Sequence, residues 1–134
     1  MSQEKMERAA RQLAEGVSSK NLPVILAASD PEIEFTSRFT AVEGRTYRGH
    51  AGWADYLADA DLVWENFRIT VEESIPAGPE RLIAVERVEA SARGSGVQLD
   101  QPTYAVQEFR DGKVLRMRTY RTRQEAHEAV GLSE

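Results

Sequence analysis

Residues 102–121 read PTYAVQEFRDGKVLRMRTYR, two runs of alternating apolar and polar residues joined at Asp111-Gly112. Alternation at period two marks a strand, and Asp-Gly supplies the left-handed backbone that a two-residue hairpin turn needs. The pattern predicts strands over 102–110 and 113–121. Both carry apolar residues on each face: Tyr104 and Val106 against Ala105 and Phe109, then Val114 against Leu115 and Met117. Each face of such a strand needs a cover.

Working outward, residues 81–93 alternate in the same way and reach the hairpin through Gly94-Ser95-Gly96. Before them, Phe67, Ile69, Val71 and Ile75 form one stripe that ends at the turn Ala77-Gly78-Pro79. Past Pro31, the residues Ile33, Phe35, Ser37 and Phe39 share a strand face opposite Glu32, Glu34, Thr36 and Arg38. Gly44 and Gly49 bracket a loop. Elsewhere the period is helical. Met6, Ala9, Ala10, Leu13 and Val17 predict a helix capped by Ser2 and stopping near Gly16. Asn21 caps a second, short one with Pro23 in its first turn, ended by Asp30-Pro31. A third runs from His50 to Leu62, burying Trp53, Tyr56, Leu57 and Ala60 while Asp55, Asp59 and Asp61 stay wet. Arg123 to Val130 makes a last helix, stopped at Gly131.

The expected fold is therefore α+β, one domain over residues 1–134. Its elements run α-α-β-α-β-β-β-β plus a short C-terminal helix. A strongly curved, mainly antiparallel sheet wraps three N-terminal helices, a cone with an internal pocket.

The 134 residues carry 17 basic and 22 acidic side chains, net −5, which argues against a nucleic-acid partner. Cysteine is absent, excluding disulfides and thiolate chemistry. No secretory signal or membrane-length apolar run is visible, so a cytoplasmic, membrane-free location is expected. No P-loop, dinucleotide fingerprint or histidine–cysteine cluster appears, and neither metal nor cofactor is expected.

Several stretches together resemble a known family: Asp30-Pro31-Glu32-Ile33-Glu34-Phe35, Tyr47-Arg48-Gly49-His50-Ala51-Gly52, Ser95-Gly96-Val97, Asp111-Gly112-Lys113-Val114, and Glu125-Ala126 to Gly131-Leu132. Their order and spacing resemble the SnoaL-like branch of the nuclear-transport-factor-2-like superfamily. The resemblance implies a pocket between sheet and helices and a homodimer packed through the outer sheet face. Its members include isomerases, cyclases, dehydratases, epoxide hydrolases and binding proteins, and the fold does not choose among them.

Glu86 is the candidate catalytic residue. It shares a strand face with Leu82, Ala84, Val88, Ala90 and Ala92, where a carboxylate is costly and its pKa is pushed up. Two environments are open to it: the pocket, or an arginine partner or sheet rim. Phe35, Phe39, Trp53, Tyr56, Ala84, Val88, Tyr104, Leu115, Met117 and Thr119 are the candidate ligand-binding residues, with Tyr56 or Tyr104 as hydrogen-bond donor. Glu34 and Arg38 are expected in solvent or a dimer contact. His50 is assigned to the loop-to-helix turn and His127 to an exposed helix face. The basic run Lys113, Arg116, Arg118, Arg121 and Arg123 finds its simplest partners in Glu72, Glu73 or Glu89. Two functions follow. The first is a cone binding a small, largely apolar molecule, with cofactor-free proton transfer or hydrolysis at Glu86. The second is a non-enzymatic ligand carrier or dimerising scaffold.

Overall fold

A computed structural model describes residues 1–40 and 44–132. Helix α1 (Gln3–Ser19) starts at Ser2, whose hydroxyl accepts the Lys5 N–H, and ends at Lys20 in the left-handed region. It runs straight through Gly16, where a stop was expected. Gly16 is the crossing point of α2 (Leu22–Ala27), and a Cβ there would lie 2.8 Å from Ile25 Cγ1. Asn21 caps α2 as its sequence predicts.

Strand β1 (Ser29–Thr36) begins and ends earlier than its alternation suggests. Arg110 grips the buried Asp30 through two hydrogen bonds of 3.0 and 2.8 Å, which fixes the strand's start. Strand β2 (Thr46–Arg48) lies inside the expected loop and is too short to show a period. Helix α3 (Gly49–Val63) buries Trp53, Tyr56 and Ala60. Asp59 leaves the wet face: it is half-buried and accepts the Tyr47 hydroxyl at 2.6 Å. Strands β3 (Trp64–Pro76), β4 (Arg81–Ala92), β5 (Gln98–Arg110) and β6 (Lys113–Tyr120) follow, then α4 (Arg123–Ala129). Asp111 and Gly112 have φ of 52° and 79°, the two left-handed positions the β5–β6 hairpin requires. Thr122 and Glu125 form a capping box on α4.

The six strands are ordered β2-β1-β6-β5-β4-β3 in a curved, unclosed sheet, antiparallel except where β1 runs parallel to β6. Helix α1 packs along the inner face at the β3 edge. There the Ser18 hydroxyl accepts the Ile69 N–H at 2.8 Å, covering a strand edge that would otherwise invite pairing.

Two bulges reassign residues to faces. Between Val71 and Glu73 the pairing slips, so Ile75 leaves the inward stripe and joins the outer face opposite Ile83. Between Glu108 and Phe109 it slips again. Val114 and Met117 then face the core, and Leu115 falls between paired positions. The inner core holds α1, α3 and the inward residues of every strand. On the outer face, Ala126 of α4 and Val130, its C-cap, pack with Ala77, Ile83, Tyr104, Val106 and Tyr120. The second cover that the two-faced strands demand thus comes from the same chain.

Candidate functional site

Between α1, α3 and the inner sheet face lies a cavity. Counting its mouth it holds about 450 Å³ of space free of atoms, of which about 30 Å³ can take the centre of a water molecule. Phe35, Phe39, Trp53, Tyr56, Val88, Met117 and Thr119, all candidates from the sequence, line it, and so does Glu86, for which the pocket was one of two environments left open. Three expected residues do not. Tyr104 sits under α4 on the outer face, because β5 places Thr103, Ala105, Gln107 and Phe109 inward. Leu115 is displaced by the bulge. Ala84 faces inward but is sealed in the core behind the wall.

The structure adds Leu13, Ala14 and Val17 from α1, Thr36 and Ser37 after Phe35, Ile69 from β3 and Thr103 from β5. The α1 residues were legible as a core stripe and Thr103 by alternation with Ala105. Nothing in the sequence says which core residues border a void.

Glu86 is 6% exposed and sits between Val71 of β3 and Thr103 of β5 in register. It makes no hydrogen bond or ion pair with any described residue, and burial alone pushes its pKa up to about 8. At neutral pH its acid form therefore predominates, with a minority of carboxylate that can still take up a proton. Tyr56 is fully buried beside it. Burial holds its hydroxyl protonated, the hydrogen bond with Ser37 pulls the other way, and Glu86 and Tyr47 add smaller upward pushes. The aromatic wall is closely packed. Phe35 and Trp53 stack with centroids 3.9 Å apart, Tyr56 meets both edge-on at 5.5 Å, and the indole N–H donates to Ser29 Oγ at 2.9 Å. The buried Thr119 hydroxyl, in contrast, finds no hydrogen-bond partner among the described residues.

Arg38 is not on a solvent-facing strand. Once β1 ends at Thr36 the alternation no longer applies, and the side chain folds over Phe39 with its guanidinium 5.0 Å from the ring centroid. It donates to Thr103 Oγ1 at 2.9 Å. Glu34 pairs with Arg48 at 2.8 Å on the outside. His50 lies with Nε2 2.9 Å from the Ser29 carbonyl oxygen, tying the start of α3 to β1. His127 is half-buried in α4 rather than on an exposed face. Arg123 pairs with Glu73 at 3.0 Å, the partner expected of the basic run. Among the described residues no three histidine, aspartate or glutamate side chains gather as a metal site.

A family model described as a SnoaL-like domain matches residues 10–117. The chain belongs to the SnoaL-like family. No curated protein matches the sequence. Among solved structures, this SnoaL-like chain is similar to TerC co-crystallised with polyporic acid, at 22% identity and TM-score 0.77, covering 95% of this chain and 98% of that one. An NTF2-like protein of unknown function from Burkholderia pseudomallei is 21% identical with TM-score 0.75, over 97% of this chain and 98% of that one. RV0760c from Mycobacterium tuberculosis, in complex with estradiol-17beta-hemisuccinate, is 15% identical with TM-score 0.70, over 90% and 95%. At these identities the likeness shows the fold. No helix of the described residues is long and apolar enough to cross a membrane.

Proposed function

We propose that this SnoaL-like chain binds a small, largely apolar organic molecule in its cavity, with Glu86 as the proton-transferring group of cofactor-free isomerisation, cyclisation or hydrolysis. One observation carries the reading: a buried carboxyl with no hydrogen bond or ion pair among the described residues opens onto an aromatic-lined cavity. Such a group is costly to keep unless it meets a ligand, and its raised pKa places it in the range where proton transfer is efficient. Solved relatives that hold polyporic acid or an estradiol ester support the same use of the fold. A panel of small apolar compounds should raise the melting temperature of the wild type, and Ile69→Trp, which fills the cavity from the β3 edge, should cancel the gain. An undiminished gain in that variant would place binding elsewhere. For any compound that is turned over, Glu86→Gln should end turnover and leave binding.

The small free volume favours a second reading, a binding module that closes tightly on its ligand without reacting. It predicts no turnover in the wild type for any compound that binds.

We further propose a homodimer through the outer sheet face. Arg48, Glu34, Arg116, Glu108 and Arg81 form one row across β2, β1, β6, β5 and β4, alternating in sign. A twofold axis displaced by half a strand spacing sets each charge opposite its complement on a second copy.

A further inference from the structure

Thr119 of β6 faces inward, paired with the inward-facing Ala105 of β5. It lines the cavity, yet its buried hydroxyl finds no hydrogen-bond partner among the described residues. Other hydroxyls of the lining are engaged. Thr103 accepts from Arg38 and donates to the Tyr120 carbonyl at 3.3 Å. Ser37 accepts the Phe39 N–H at 3.1 Å and is hydrogen-bonded to Tyr56. A buried hydroxyl left unpaired is a cost, so one kept open beside a cavity marks a place for a bound polar atom. Glu86 is in the same position: it lines the cavity and pairs with no described residue.

The two groups sit on β4 and β6, with β5 between them. Thr119 is level with Ala105 and Ala84, and Glu86 lies two residues farther along β4. Strands about 4.8 Å apart and a rise of about 3.4 Å per residue put their Cα atoms roughly 12 Å from each other. Side chains stand nearly upright on a sheet, so the two polar ends keep about that spacing, drawn in by the sheet's curvature. One hydrogen bond of about 2.8 Å at each end leaves roughly 6 Å, the separation of two oxygens at opposite ends of one aromatic ring. Resting on the ligand-binding reading above, we infer that Thr119 is a second polar anchor of the cavity. Its ligand is then a neutral compound with two oxygen functions set one ring apart, a carbonyl that accepts from the acid form of Glu86 and a hydroxyl that pairs with Thr119.

The walls decide against other ligands. Among the described residues no charged side chain except Glu86 lines the cavity, so a carboxylate or an ammonium at Thr119 would enter an apolar setting without a counter-ion. A wholly apolar ligand would leave both Glu86 and Thr119 buried and unpaired. The assignment of the two ends follows from the groups themselves. An undissociated carboxyl has an O–H to give a carbonyl, whereas a threonine hydroxyl both donates and accepts and so suits a second hydroxyl. Val88 and Met117 supply apolar surface for the ring between them.

Isothermal titration at about pH 6.5, where Glu86 holds its proton, compares acetophenone with meta- and para-hydroxyacetophenone. The wild type should bind the better of the two hydroxylated compounds about tenfold or more tightly than acetophenone. Thr119→Val should remove that advantage and leave acetophenone binding unchanged, and Thr119→Ser should restore it. If Thr119→Val does not fold, Thr119→Ala takes its place, and the wild-type ratio is a test by itself. An advantage that survives in Thr119→Val overturns the inference and leaves the cavity reading standing. So does acetophenone binding as tightly as both hydroxylated compounds. If none of the three binds at millimolar concentration, the cavity reading falls as well.

Discussion

At the scale of single residues, Glu86 links stability to pH. Its folded pKa, about 8, lies well above the ordinary carboxylate value of 4.5, so the native state holds the proton more tightly than the unfolded chain. Stability is therefore full in acid, falls as pH rises from the ordinary value toward the folded one, and levels off beyond. The loss is on the order of a few kcal/mol, since each tenfold change in proton affinity is worth about 1.4 kcal/mol. Denaturant midpoints of Glu86→Gln should stay flat over that window and exceed those of the wild type at its alkaline end. Parallel curves would mean that Glu86 is solvated. Thr119 gives a second prediction. Its buried hydroxyl has no hydrogen-bond partner among the described residues, so Thr119→Val should leave stability unchanged or raise it by about 1 kcal/mol. A comparable loss in urea melts would reveal a bound water behind that hydroxyl. Glu86 was legible because strand alternation sets it in an apolar row. Arg38 was not: its orientation depends on β1 ending two residues before it, and that end is set by pairing with β6 and β2.

At the scale of elements, Gly16 shows how a local rule yields to packing. Alanine in the middle of a helix ordinarily gains about 1 kcal/mol over glycine. Here the added Cβ would press on Ile25, which is fully buried where α2 crosses α1. Gly16→Ala should therefore destabilise, by about 1–3 kcal/mol, against its helix propensity. A raised melting temperature in that variant would show that α2 can slide away. The bulges in β3 and at β6 carry the same lesson for strands. Periodicity assigned Ile75 and Leu115 to the inner face, but one extra residue in a strand reverses every face beyond it. Such insertions are decided by the partner strand, and a single-strand pattern does not contain them.

At the scale of the molecule, α4 changes the basis for association. By alternation alone Tyr104 and Val106 need a second subunit, yet Ala126 and Val130 already cover them. What supports a dimer is the alternating row of charge on the same face. Light scattering should give about twice the 15.0 kDa chain mass, and Arg116→Glu, which sets three like charges side by side with Glu34 and Glu108, should return the monomer. A wild-type monomer at micromolar concentration would end that proposal. The order of helices and strands, the hairpin at Asp111-Gly112, the caps at Ser2 and Asn21 and the apolar setting of Glu86 are all local, written in periods and turn residues that neighbours in the chain enforce. The strand order with its one parallel pair, the faces beyond each bulge, the void beside Glu86 and the arrival of Arg38 at Thr103 belong to tertiary structure. Each depends on contacts between segments distant in the chain, whose relative placement no local pattern encodes.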